Sequence, residues 1–232
     1  MAMATTLLIE RQALAQLNSL RDGPGWIRLG SHLLMIGLAG LLWRLETLPL
    51  PLRLAGLWIS GIGLATCFAP LHECGHRTVF RSKRLNDAVA WLMGLLSFYN
   101  ASFYRRYHQW HHRYTHQPGL DPELEDPVPT TLSGYLLEVS GWTWWTGKVR
   151  GHARLLWGDL SQVPYLSPEL IPQVRRSIRL QFAVYGVLAA LSLIGGNGFL
   201  LWSWLLPLAI GQPVLRVLLL AEHTGCAYGD DG

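Results

Sequence analysis

Of the nine histidines in the chain, five fall in two short groups. His72 and His76 stand four apart in His72-Glu73-Cys74-Gly75-His76, a spacing that puts both rings on one face of a helix. His108, His111 and His112 occupy positions i, i+3 and i+4 of His108-Gln109-Trp110-His111-His112, so three imidazoles share an arc of about 100° on one helix. Imidazole nitrogen suits first-row transition metals, and two such sets on separate helices can hold one ion or two. The first group also matches H-E-x-x-H, in which two histidines hold zinc and the glutamate activates water for peptide hydrolysis. A metalloprotease leaves the second group unexplained. A dinuclear site uses both.

The elements that must position these rings are hydrophobic. Half of the 232 residues are apolar and 15% are charged, against roughly 25% charged in an ordinary soluble chain. Uncharged runs cover Leu29 to Trp43, Leu54 to Leu71, Ala88 to Tyr104 and Leu180 to Leu215. The last run would make a helix of about 54 Å, too long for one crossing of a hydrocarbon core of about 30 Å. Gly195-Gly196-Asn197-Gly198 interrupts it, a turn signal that divides the run into two spans. Pro49 and Pro51 mark the turn between the first two runs. The expected fold is all-α: a single multipass membrane domain over 1–232, with four transmembrane helices in two hairpins. Ala88 to Tyr104, with its wet aromatic tail, is expected to be an interfacial or re-entrant helix.

With that topology the basic residues of 11–28, 77–113, 148–154 and 175–179 all fall on one side, and only Arg44 and Arg53 fall opposite. The positive-inside rule makes that side cytoplasmic. Tryptophans 142, 144, 145 and 157 among Lys148, Arg150, His152 and Arg154 suit amphipathic helices in the headgroup layer, forming a cytoplasmic cap. His72 and His76 stand about 27 and 33 Å along the second span from Leu54, and His223 about 36 Å along the fourth from Phe199. All three emerge at similar heights on one face. The N-terminus lacks the features of a signal peptide, three scattered cysteines make no disulfide framework, and no Lys/Arg-rich face suggests nucleic acid.

The two histidine boxes, the continuation Arg113-Tyr114-Thr115, the downstream Asp121-Pro122-Glu123 and the segment Ala221-Glu222-His223-Thr224-Gly225-Cys226 together resemble the membrane fatty acid desaturase superfamily from about Leu54 to Cys226. The resemblance implies that His72, His76, His108, His111, His112 and His223 ligate a non-haem di-iron centre, with Glu73, His116, Asp121 and Glu222 around it. It implies O2-dependent desaturation of a lipid acyl chain, with hydroxylation or ketolation of a carotenoid as the neighbouring chemistry. It also implies a separate electron donor, a ferredoxin or cytochrome, docking on the basic face. The superfamily carries a third box, usually H-x-x-H-H, after the fourth span, and this sequence runs only to Tyr228-Gly229-Asp230-Asp231-Gly232. The expectation is therefore a chain truncated before that box, with an inactive membrane remnant as a further reading.

Among single residues, Glu73 is expected to hydrogen-bond a ligand imidazole, and Cys74 to point away from the histidine face and pack. His116 is expected at a helix end, in a surface or supporting role. His32 and His152 read as interfacial. Asp121, Glu123, Glu125 and Asp126 read most simply as a solvated acidic loop, although the resemblance places Asp121 close to the centre. Arg216, seven residues before His223, either snorkels or pairs with an acid.

Overall fold

The computed structural model describes residues 11–125 and 129–222, apart from the side chains of 11 and 12. Ten α-helices are present among them: α1 (Arg11–Leu17), α2 (Asp22–Arg44), α3 (Leu50–Thr66), α4 (Phe68–His76), α5 (Lys83–Leu96), α6 (Ala101–Arg113), α7 (Leu132–Val139), α8 (Trp142–Trp157), α9 (Ile171–Ile194) and α10 (Leu206–Ala221). No strand occurs among the described residues. Four stretches are long and apolar enough to cross a bilayer: Ala13–Arg44, Leu50–His76, Ile171–Ile194 and Leu201–Ala221. Leucines such as Leu34, Leu38 and Leu191 are exposed along them, a surface that lipid covers and water would not tolerate. The chain is an all-α multipass membrane protein.

The spans form the two expected hairpins. In the first, the chain turns between α2 and α3, with Pro49 as the N-cap of α3. In the second, Gly196 and Gly198 take φ of +59° and +58°, the left-handed backbone that lets α9 reverse direction. A π-turn at Leu201–Leu205 leads into α10. α3 joins the hairpins, packing against α2 on one side and α10 on the other. Its crossing with α10 runs through Gly61 and Gly211: a Cβ on Gly211 would sit 1.9 Å from the Gly61 carbonyl oxygen, and one on Gly61 would sit 2.3 Å from that of Pro207. Small residues at this contact let the backbones touch.

α3 and α4 run on almost without interruption, and the 27 residues of Leu50–His76 make a rod of about 40 Å. It outreaches a hydrocarbon core of about 30 Å. That length is enough for the turns carrying the first histidine group to reach past the acyl chains. Arg77 ends it in the left-handed conformation at φ 61°.

The third apolar run departs from the expected single helix. Residues 88–104 are divided between α5 and α6 by a sharp turn at Ser97–Asn100, where Phe98 takes φ 63° and the Asn100 side chain accepts the Phe103 amide hydrogen bond at 3.0 Å to cap α6. Asn100 Nδ2 also donates to Gln181 Oε1 at 3.0 Å and to Ser177 Oγ at 3.2 Å on α9. Gln181 in turn donates to the Tyr99 carbonyl and the Tyr185 hydroxyl. Periodicity gave no warning, because the break is made by polar contacts to a distant span.

His152 is a second difference. It is 4% exposed and sits against Phe98, with ring centroids 5.0 Å apart, while Nδ1 donates to the Lys148 carbonyl at 2.7 Å. His32 likewise faces a neighbouring helix, its Nε2 donating to the Gly63 carbonyl at 2.8 Å. Cys74 packs in the core as expected.

Two predictions follow from this packing. Gly211→Ala lowers the thermal unfolding midpoint in detergent by the equivalent of about 1–3 kcal/mol, whereas Gly37→Ala, where a Cβ meets open space, leaves it near wild type; equal midpoints contradict the crossing. Burial is the main cause holding the His152 imidazole down at about 4, against an ordinary 6.5. Between those pH values the unfolded chain binds a proton that the folded chain refuses, so stability falls as pH drops from 6.5 and levels off below about 4. The loss is about 3 kcal/mol at most, and His152→Asn flattens that part of a stability-against-pH curve.

Candidate metal centre

α4 and α6 meet end to end through their histidines. One ring nitrogen from each of His72, His76, His108 and His112 lies within 4.8 Å of the others. His76 Nε2 is 3.0 Å from His108 Nε2, and His112 Nε2 is 2.9 Å from the same atom. Two nitrogens about 2.1 Å from one ion and at right angles to each other are about 3 Å apart, so these separations are those of neighbouring ligands on a metal. His108 is buried, His72 and His76 are half-buried, and His112 is exposed. The buried Nδ1 of His108 has no hydrogen-bond partner, with Glu123 Oε1 at 4.0 Å.

The sequence places the rings by helix geometry and the turns hold the helices. Asn86, fully buried, accepts from the Val79 and Phe80 amides through Oδ1 and donates to the Phe80 and Ser82 carbonyls through Nδ2. That clasp fixes the turn from box one into α5. Asp87 then takes a bidentate pair from Arg77 at 2.8 and 2.6 Å, with Arg105 at 3.5 Å, tying the end of α4 and the first half of α6 to α5. Tyr104, one turn before His108 on α6, stacks on its ring at 5.3 Å and 9°. The i, i+4 spacing of Tyr104, His108 and His112 was the available signal for that platform.

His111 looks elsewhere. Its Nδ1 donates to Asp121 Oδ1 at 2.9 Å, and Nε2 lies 3.5 Å from Glu123 Oε2. Its ring centroid is nonetheless 5.8 Å from that of His108 and 5.6 Å from that of His112. Asp121 is 2% exposed and also accepts the amides of His116 and Glu123, so the solvated-loop reading fails for it. Burial alone would raise its carboxyl, but the bonds from His111, Glu123 and His116 outweigh that and hold it below the usual range. His116 lies past the end of α6 at φ 61° and is buried.

Glu73 accepts from His72 Nδ1 at 3.0 Å. The bond directs the Nε2 lone pair of His72 outward, as carboxylate partners do for metal-binding histidines. Glu222 caps α10 and lines the same cavity as the histidines. His223, Cys226 and Asp126 lie outside the described residues. Burial first, and then the neighbouring His108, His111 and His72, pull the His112 imidazole below its ordinary value. A neutral ring keeps the lone pair that a metal needs.

From this cluster a cavity of about 1520 Å³ opens between α4, α6, α7, α8 and α10. Its wall near the rings is aromatic: Phe68 lies 5.1 Å from Tyr99 and 5.5 Å from Tyr104 between centroids, and Trp144 donates to the Tyr99 hydroxyl at 3.1 Å. Drug-sized ligands fill about 300–1,000 Å³. The space admits something longer and largely apolar beside four imidazoles.

Comparison with known proteins places this geometry in a family. Residues 48–232 match the family described as fatty acid desaturase. An sn-1 oleoyl-lipid 12-desaturase of Picosynechococcus sp. is 32% identical over 108 residues, 44% of this chain and 31% of that protein. One of Synechocystis sp. is 25% identical over 181 residues, 72% of this chain and 49% of that protein, and one of Arthrospira platensis is 27% identical over 134 residues, 53% and 37% respectively. The chain thus spans between 31% and 49% of the length of these curated relatives. With the histidine groups, the four spans and a match over most of its length, the chain belongs to the fatty acid desaturase family.

Proposed function

We propose that this chain is an O2-dependent lipid desaturase working at a non-haem di-iron centre, and the observation that carries the proposal is the convergence of four imidazole nitrogens beside a lipid-sized cavity. His72, His76, His108 and His112 would hold the metal directly, with His111 and His223 as the further ligands that this sequence offers. An all-nitrogen neutral donor set, with carboxylates one bond further out, fits iron through changes of oxidation state. When bound, such a centre supplies the reduction of O2 that takes two hydrogens from adjacent methylenes and yields a double bond and water.

The chain's own residues do the rest. Glu73 and Asp121 fix ring orientation by accepting from His72 and His111. Tyr104, whose phenol burial pushes upward and so keeps protonated, stacks on His108 and floors the cavity. The aromatic wall excludes water and holds an acyl chain near the rings. Electrons come from a separate ferredoxin or cytochrome at the basic surface around Arg77, Arg105 and Arg113, which the charge asymmetry puts on the cytoplasmic side. The relatives' names make oleoyl lipids the first substrates to try. Against the metalloprotease reading stands the gathering of four imidazoles where that motif supplies two.

Two outcomes are expected. Metal analysis of the purified chain finds iron rather than zinc; His108→Ala and His112→Ala weaken iron retention at least about tenfold, while His32→Ala and His152→Ala retain it. Zinc at one per chain, insensitive to His108→Ala, contradicts the centre. In cells that make oleoyl lipids and contain ferredoxin, expression raises the dienoic fraction of membrane fatty acids, and His76→Ala abolishes the rise; an unchanged profile at equal expression contradicts the reaction.

A further inference from the structure

The far wall of the cavity carries a feature that the di-iron chemistry does not use. Lys148 on α8 and Arg216 on α10 line it together, and both approach the Trp144 ring, at 5.6 and 5.7 Å from its centroid. Lys148 Nζ also lies 3.2 Å from the centroid of Tyr99. Two cations thus share one aromatic patch. No carboxylate among the described residues comes within 4.0 Å of either; Glu222, on the same cavity wall, pairs with neither. The Arg216 Nε and Nη2 atoms are buried without a hydrogen-bond partner. One turn earlier on the same helix face, Gln212 is fully buried with both amide atoms unpartnered. Burial, and then Arg216, pulls the Lys148 ammonium well below its ordinary value.

Buried cations are normally paired, and paired guanidinium groups bind carboxylate and phosphate through two parallel bonds. Here two donors aimed into a cavity repel each other, and an anion between them would relieve both costs at once. The geometry points to an anion site: Lys148 and Arg216 hold the carboxylate or phosphate end of an acyl amphiphile whose chain runs past Tyr99 and Tyr104 to the histidines. Lys148 sits over Tyr99, Tyr99 lies 5.7 Å from Tyr104, and Tyr104 is stacked on His108, so two rings separate the charged end from box two. The site would fix how far along the chain the reacting carbons lie. That last step rests on the desaturase reading. The anion site itself does not.

Native mass spectrometry of the full chain in dodecyl maltoside tests it without iron or an electron donor. The probes are dioleoyl phosphatidylglycerol against dioleoyl phosphatidylcholine, and oleate against methyl oleate. At least one anionic member is expected to bind about tenfold tighter than its uncharged partner, the effect of one or two charge-assisted bonds, and which one does so identifies the anion. Lys148→Met and Arg216→Met each remove the preference. Arg216→Lys, which keeps the charge, and Arg176→Gln, which removes one from exposed α9, retain it. Equal binding within both pairs overturns the proposal, as does equal loss in Arg176→Gln or competition by inorganic phosphate alone at the lipid's own concentration. An intact preference with no double-bond formation would strike the reaction and leave this site standing.

Discussion

The constraint on which the molecule turns is that four imidazoles, in two groups more than thirty residues apart in sequence, are pressed within 4.8 Å of one another. Protonation would charge them together, and close like charges in a partly buried site are costly. Burial first, and then the neighbouring rings, hold the His76 imidazole down at about 4 and pull that of His112 below its ordinary value, so these rings keep the lone pairs a metal needs. A metal ion bound there would accept from all four at once, and its binding free energy would add to the stability of the fold.

The rest of the fold can be read as support for that meeting point. The second span is longer than the hydrocarbon core is thick and carries box one at its end. Asn86 clasps the turn that follows, and Asn100 caps the helix that carries box two while reaching across to Gln181 on the third span. Small residues at Gly61 and Gly211 bring the two hairpins close enough for that reach. Buried amide networks of this kind specify one arrangement only when every donor and acceptor is met. Around Asn86 and Asn100 they are largely met. Of the buried groups left without a partner among the described residues, His108 Nδ1 and the Arg216 guanidinium line the cavity, while Gln212 and Arg105 Nη1 lie off it.

Much of this was legible in the sequence because it rests on local periodicity. Spans announce themselves by uninterrupted apolar length, the hairpin by Gly195 to Gly198, and the histidine faces by i, i+3 and i+4 spacing. The failures share a different cause. The break inside residues 88–104 depends on Phe98 taking a left-handed backbone and on partners in the third span, and nothing local marks either. Asp121 resembled a solvated acid because its buried surroundings come from His111 and the turn at His116. His152 looked interfacial among arginines, yet one helix face turns it inward onto Phe98. Spacing put His108, His111 and His112 on one arc but did not reveal that Asp121 and Glu123 bracket the His111 ring.

Iron K-edge X-ray absorption on the iron-loaded chain tests the metal assignment most directly. The account predicts a first shell of nitrogen at about 2.1 Å followed by the outer-shell scattering of several imidazoles. A shell of oxygen alone, with no imidazole pattern beyond it, would contradict the claim that the converging histidines hold the metal.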